Sequence, residues 1–392
     1  MNETCLSWRN LGLALAVLLP VVAIAQAGDT EENLLKGNPS RGRVLFESKQ
    51  CVRCHAVWGH GGTLGPDIVK AVEGKSVPRL AGEFWNHTPR MIAETNSHGY
   101  TWPKLDVAEM ADLISYFYYL RLFGSPGDPV RGAVAFSRLR CDDCHTLSGA
   151  GTSTAGDLDR FSVFPSPLPL AQAMWNAGPA MQALQLDTGR SIPQFSGTEM
   201  ADIQAYIRET GRRDHDDFQL LPLADPTRGK AVFTEKRCAS CHGEFIDAAP
   251  DLGSVALERS VAEIGGALWN HSYAMHERMR TEEIPFPSFE GWELADLIGY
   301  VYLLGFIGQP GDAAVGETRF DSKGCANCHS GAGGLGPDLP QMDVSDVIAL
   351  SSAMWNHAPE MHELMAEQGI PWPKFEAGDM EDVVAYLRSR KK

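Results

Sequence analysis

Four copies of Cys-x-x-Cys-His punctuate the 392-residue chain: Cys51-Val-Arg-Cys54-His55, Cys141-Asp-Asp-Cys144-His145, Cys238-Ala-Ser-Cys241-His242 and Cys325-Ala-Asn-Cys328-His329. Their first cysteines lie 90, 97 and 87 residues apart. They take up every cysteine except Cys5 near the N-terminus. A chain with this spacing folds as four like units of about 90 residues, each near the lower limit for a self-sufficient apolar core.

The sequence between the motifs repeats as well. Each motif follows an amphipathic stretch such as Arg41-Gly42-Arg43-Val44-Leu45-Phe46 or Arg228-Gly229-Lys230-Ala231-Val232-Phe233. A turn-rich loop comes next, with Pro66-Asp67, Pro250-Asp251 and Pro337-Asp338 in three copies and Gly156-Asp157 in the second. Every copy then carries Trp-Asn: Trp85-Asn86, Trp175-Asn176, Trp269-Asn270 and Trp355-Asn356. Each ends in a stretch whose apolar residues recur at helical spacing. These stripes are Met110, Leu113, Ile114, Phe117; Leu294, Leu297, Ile298, Val301; and Met380, Val383, Val384, Leu387. The second copy has Met200, Ile203 and Ile207, with Gln204 interrupting the stripe. The periodicity predicts an all-α fold.

The joints between units are of two kinds. Phe123-Gly124-Ser125-Pro126-Gly127-Asp128 joins units one and two, and the similar Ile307-Gly308-Gln309-Pro310-Gly311-Asp312 joins three and four. The middle joint, Gly211-Arg212-Arg213-Asp214-His215-Asp216-Asp217, differs. First-to-third and second-to-fourth motif spacings are 187 and 184 residues. The reading is a duplicated two-unit block with a central hinge: domains over 28–127, 128–211, 225–311 and 312–392, and a linker over 212–224.

Residues 1–27 read as a cleavable signal peptide. Arg9 supplies the positive end, Leu11 to Ala25 an apolar run, and Ala25-Gln26-Ala27 the small-x-small cut. The run is shorter than the roughly 20 residues a spanning helix needs and contains Pro20. Cys5 leaves with this segment. The mature chain is expected to be exported, periplasmic or beyond, with no transmembrane segment.

Cys-x-x-Cys alone fits a zinc half-site, a redox dithiol or a haem attachment, and disulfides are the default for exported cysteines. A redox dithiol belongs in a βαβ unit, and zinc needs converging pairs. The histidine directly after each pair points instead to covalent haem c. Two thiols add to the haem vinyl groups, and the next imidazole becomes the proximal iron ligand. This assigns Cys51, Cys54, Cys141, Cys144, Cys238, Cys241, Cys325 and Cys328 to four haems, with His55, His145, His242 and His329 as proximal ligands.

With these motifs and helices the chain resembles the class I c-type cytochrome domain, repeated four times in tandem over nearly all of residues 38–389. The resemblance implies a haem held between the helix before each motif and the closing helix. It also implies a Gly-Pro carbonyl that orients the proximal histidine. Gly65-Pro66 and Gly336-Pro337 match that pattern, Ala249-Pro250 in part, and Ala155-Gly156 does not.

The family's usual distal methionine, in a Met-Pro-x-Phe-like segment before the last helix, is absent. The chain has Trp102-Pro103-Lys104-Leu105, Ile192-Pro193-Gln194-Phe195, Phe286-Pro287-Ser288-Phe289 and Trp372-Pro373-Lys374-Phe375 there. Trp102, Phe286 and Trp372 are expected to fill the methionine's place. The Trp-Asn segments offer substitutes: Met91, Met181, Met275 and Met361 recur in all four, 36, 36, 33 and 32 residues after their proximal histidines. These methionines are the leading candidates, against a reading as adaptable core fillers. His87, His271 and His357 are the alternative in three copies, where the second has Ala177. Pro89, Pro179 and Pro359 suit the first turn of a short helix presenting these residues. The Trp of each Trp-Asn pair is expected either to donate its indole N–H to a haem propionate or to pack the haem wall.

The formal net charge of −16 excludes a nucleic-acid binder, whose phosphate contacts need clustered Lys and Arg. Two functions remain. One is an exported carrier passing single electrons between redox protein partners, such as a membrane-bound dehydrogenase or oxidase with a basic docking face. The other is a haem enzyme or a sensor of peroxide or a gas, with one open iron. Unit two is the candidate for the open iron, its Phe161-to-Leu170 stretch covering the site. The terminal Arg388, Arg390, Lys391 and Lys392 fit a solvated helix end or a contact to an acidic partner.

Overall fold

Each of the four modules is built on three main helices: a leading helix before the cysteine motif, a long helix carrying Trp-Asn, and a closing helix. The computed structural model describes residues 37–123, 126–151, 154–211, 223–242, 249–250, 252–308, 310–331, 334–339 and 346–390. Residues 1–27 and the central joint from 212 to 222 lie outside the described residues. The fold is all-α, as the periodicity predicts. Among the described residues, strand is limited to two short antiparallel pairs, Ala56–Val57 with His60–Gly61 and Thr146–Leu147 with Ala150–Gly151.

The leading helices, Pro39–Ser48, Pro129–Arg138, Pro226–Glu235 and Ala313–Ser322, start where the sequence dictates. Asn38, Asp128, Asp225 and Asp312 cap them by accepting backbone N–H groups of the first turn. Three have Pro directly after the cap, where no intrahelical N–H is lost. Each leading helix crosses its closing helix, Val107–Phe123, Glu199–Thr210, Glu293–Phe306 or Asp379–Arg390, at a glycine. A Cβ on Gly42, Gly132, Gly229 or Gly316 would lie about 2 Å from the carbonyl oxygen of Asp112, Asp202, Asp296 or Asp382. Only glycine allows the two backbones to approach this closely.

The same aspartates lock the crossing. Their carboxylates accept the backbone N–H of Asn38, Asp128, Asp225 and Asp312 at 2.6–2.8 Å. In the first three modules Arg41, Arg131 and Arg228 add paired hydrogen bonds to Asp112, Asp202 and Asp296. Module four has Val315 in that place, and Arg319 and Lys323 bind Asp379 instead at 3.0 and 2.7 Å.

The stripes of the closing helices are buried as expected, from Met110 at 1% exposure to Met380 at 1%. Gln204 does not break its stripe. It is 2% exposed, and its amide donates to the carbonyls of Phe161 and Phe164, pinning the Pro-rich loop of module two to its own core. That loop holds a 3₁₀ turn, Asp159–Phe161, and leads directly into the long helix.

The long helices run Val77–Ser97, Leu168–Asp187, Val261–Thr281 and Val347–Glu367. Pro89, Pro179 and Pro359 sit inside them rather than in a first turn, because each helix begins about three turns earlier, at Ser76, Pro167 or Asp346. An interior proline leaves the carbonyl four residues back without its helical partner. Those carbonyls belong to Trp85, Trp175 and Trp355. Two are satisfied from another module: the Trp372 indole donates to Trp85 at 3.0 Å, and the Trp102 indole donates to Trp355 at 3.1 Å.

This exchange is part of a reciprocal clamp that pairs module one with module four and module two with module three. The Trp85 indole donates to the Pro373 carbonyl at 2.8 Å, and Asn86 makes two hydrogen bonds with the backbone of Phe375, one in each direction. In return the Trp355 indole donates to Pro103, and Asn356 makes the same two bonds with Leu105. Modules two and three repeat the device: Trp175 and Asn176 hold Pro287 and Phe289, and Trp269 and Asn270 hold Pro193 and Phe195. The duplication seen in the motif spacing is therefore not the unit of packing.

A third contact joins the pairs through modules one and three. Tyr118 donates to the carbonyl of Gly299 at 2.6 Å, and Tyr119 donates to that of Ala224. The Tyr118 ring packs against Tyr302 and Phe306 at 5.2 and 5.3 Å, all three fully buried. Arg121 is buried beside them, its guanidinium 3.8 Å from the Glu73 carboxylate.

Candidate functional site

In each module the leading helix ends one residue short of a left-handed residue, Gln50, Arg140, Arg237 or Gly324, which turns the chain into the cysteine motif. The motif is itself one helical turn. The histidine N–H bonds the carbonyl of the first cysteine at 2.9–3.0 Å in all four modules. Residues at i, i+3 and i+4 share a helical face, so both thiols and the imidazole emerge on one side.

The loop then returns to hold the histidine. Gly65, Ala155 and Gly336 each donate their N–H to the carbonyl of the second cysteine at 2.8–3.0 Å. The next carbonyl reaches the imidazole Nδ1. His55 meets Pro66 at 3.0 Å, His145 meets Gly156 at 3.1 Å, His242 meets Pro250 at 3.3 Å and His329 meets Pro337 at 2.8 Å. The resemblance left Ala155-Gly156 outside the pattern, yet Gly156 performs the role, since a backbone carbonyl is required and any residue supplies one. Glycine matters one residue earlier. A Cβ on Gly65 or Gly336 would lie 2.4 Å from Cε1 of His55 or His329. The two modules with alanine there have the longer Nδ1 contacts.

The eight motif cysteines are half-buried, and none is joined to another in a disulfide. Burial pushes the Cys51, Cys238 and Cys325 thiols up to about 11 and that of Cys141 up to about 12. Among the described residues no group of three or more His, Cys, Asp or Glu converges.

The long helices carry the distal candidates. Met91, Met181, Met275 and Met361 are half-buried on the long helices, each four residues after His87, Ala177, His271 or His357. His87 and His271 are exposed, their Nδ1 atoms bonded to the carbonyls of Glu83 and Ala267 on their own helices. In module four the His357 and His329 rings meet edge to face, centroids 6.4 Å apart, and Nδ1 of His357 pairs with Glu360 at 3.2 Å.

The indole N–H groups of the Trp-Asn pairs are used on Pro103, Pro193, Pro287 and Pro373 of the paired module, so they do not take the propionate-donor role, one of the two expected from the sequence. Trp102, Phe286 and Trp372 stack on Trp355, Trp175 and Trp85 at 4.1–4.7 Å. These stacks lie at the module interface. Nothing local in the sequence marks the clamp; its only trace is the fourfold recurrence of Trp-Asn with a Pro-x-Phe or Pro-x-Leu segment.

The family model for cytochrome c matches residues 39–120 and 226–301, which are modules one and three. No curated protein and no solved structure matches the chain. Fold, motif and match together define an all-helical protein carrying several c-type haem modules. The cytochrome c family carries covalently attached haem c, and the four Cys-x-x-Cys-His turns fit four of them. The geometry fits the group: paired thiols on one face, an imidazole whose Nδ1 is tied to a carbonyl, and, in modules one and four, a glycine against the imidazole ring. Among the described residues no helix is long and apolar enough to cross a membrane.

Proposed function

We propose that the chain is an exported tetrahaem cytochrome of four class I-type domains that carries single electrons between redox protein partners. The observation that supports this reading is the uniform proximal side. Four motifs, two of them outside the matched stretches, hold the histidine Nδ1 on a backbone carbonyl within 3.3 Å. That bond fixes tautomer and ring orientation and raises the basicity of Nε2. Bound haem supplies the one-electron couple. The chain's own residues set its potential, bury it and orient its ligands.

The sixth ligand in this reading is His357 in module four. Two metal–imidazole bonds of about 2 Å and two ring radii of about 1 Å place paired rings about 6 Å apart, close to the 6.4 Å between His329 and His357. His87 and His271 occupy the same helical position in modules one and three. Module two has Ala177 there, which leaves Met181 one turn further on the same face. Methionine in all four, from Met91, Met181, Met275 and Met361, is the competing set, favoured by its recurrence. Signal cleavage after Ala27, export and a basic docking face on the partner complete the reading; the −16 charge favours such a face.

Absorption spectra of the protein, oxidised and reduced, with and without carbon monoxide, test it. The expected result is four low-spin haems, no carbon monoxide shift, and a far-red methionine–iron band amounting to one haem. A band amounting to four assigns the methionine set. A carbon monoxide shift amounting to one haem overturns the carrier reading in favour of an enzyme or sensor with an open iron in module two.

A further inference from the structure

We infer that electrons travel through this protein in the spatial order module four, one, three, two, and not in the order of the sequence. The inference rests on the electron-transfer reading above. Its own support is the packing. Module four contacts module one through the double clamp of Trp85, Asn86, Trp355 and Asn356. Module one contacts module three through Tyr118 and Tyr119 against Gly299, Ala224 and Tyr302. Module three contacts module two through the mirror clamp of Trp175, Asn176, Trp269 and Asn270.

Two of these junctions join modules that are not neighbours in sequence. The clamp partners Trp85 and Pro373 are 288 residues apart, and Tyr118 and Gly299 are 181 apart. Tunnelling between redox centres falls steeply with distance, so packed modules exchange electrons faster than modules that share only a peptide linker. The junctions are aromatic: Tyr118, Tyr302 and Phe306 are fully buried, and Trp85 stacks on Trp372 at 4.1 Å. Modules four and two are the ends of the row. One electron enters at one end from a one-electron protein donor and leaves at the other to a one-electron protein acceptor. Each hop oxidises one ferrous iron and reduces one ferric neighbour, and no bond forms or breaks.

The test injects one electron at module four. In the chain starting at Gly28 the eight motif cysteines are consumed by haem, so E363C, at an exposed position of the long helix, takes a ruthenium photosensitiser. After a flash, redistribution from module four to the other haems is followed by absorption. In the C51A/C54A variant, which lacks the module-one attachment, redistribution is expected to slow at least tenfold. In C141A/C144A, which lacks that of module two, the first hop is expected to keep its rate. The four-haem variant N86A/N356A loosens only the clamp and is expected to slow the first hop, whereas N176A/N270A is not. The proposal is overturned if removing the module-three haem through C238A/C241A, and not the module-one haem, stops the first hop. It is also overturned if N86A/N356A leaves the first hop unchanged. Absence of any redistribution in the labelled four-haem protein would instead overturn the electron-transfer reading itself.

Discussion

Replacing Asn270 by alanine isolates the energetic worth of the clamp, because this side chain makes two bonds to one residue of another module. Its amide donates to the Phe195 carbonyl at 2.8 Å, and its carbonyl oxygen accepts the Phe195 N–H at 2.8 Å. Phe195 is 9% exposed, so water replaces these bonds poorly. A buried backbone group left without a partner costs about 1–3 kcal/mol. Two partly buried groups toward the low end of that range give about 2–4 kcal/mol. For a cooperative unit of this size each kcal/mol lowers the midpoint by about 2 °C, so a fall of about 4–8 °C is expected. The double variant N176A/N270A removes the mirror bonds to Phe289 as well and should lower it by about twice as much. Thermal unfolding followed by haem absorbance and tryptophan fluorescence reads both. A shift no larger than that of the exposed control N96A, which stays within about 0.5 kcal/mol, would refute the reasoning that these bonds are buried and join the modules.

Three further outcomes are expected. Gly132→Ala puts a Cβ 1.9 Å from the Asp202 carbonyl oxygen and should destabilise module two by about 3 kcal/mol, measurable as a lowered urea midpoint. Gly336→Ala presses on the His329 ring and should lengthen its bond to Pro337, making the imidazole less basic; potentiometric titration should show one midpoint of four moving upward. Acidification should loosen the helix crossings. Burial alone would raise the Asp112, Asp202 and Asp379 carboxyls, but hydrogen bonds from Arg41, Arg131 and Lys323 and from backbone N–H groups outweigh it and hold them below the usual range. An unfolded aspartate titrates near about 3.9, so the unfolded chain binds more protons there and stability falls as pH drops through and below that value. Urea midpoints measured from pH 6 downward should hold level and then decline, and D112N should flatten part of the decline.

The four modules, their closing helices and the proximal side were legible because each is encoded within a few residues. A Cys-x-x-Cys-His turn needs no partner to be recognised, and the stripe from Met110 to Phe117 declares its buried face by spacing alone. Gln204 misled because a polar residue in a stripe looks like an interruption, while its partners, the carbonyls of Phe161 and Phe164, lie 43 and 40 residues away in a loop without periodicity. Pro89 and Pro359 misled in the same way. A proline near the start of a motif reads as a helix beginning, and only the indole of Trp372 or Trp102 from another module explains how the interior is tolerated. The pairing of modules was invisible because the groups held by Asn86 and Asn356 are backbone atoms, which every sequence supplies.

The clamps nest like brackets, modules two and three inside one and four, and this sets an order of assembly. The inner pair can close once the chain has emerged as far as Phe289. The outer pair must wait: Asn356 follows Leu105 by 251 residues, so the segment that closes it is among the last to emerge. Until then Trp85 lacks Trp372 and Trp102 lacks Trp355, and a chain truncated before Trp372 never closes the Trp85 half of the clamp. Such fragments should be sticky and short-lived, so the last helix and the loop before it act as the latch that makes the first module safe to keep.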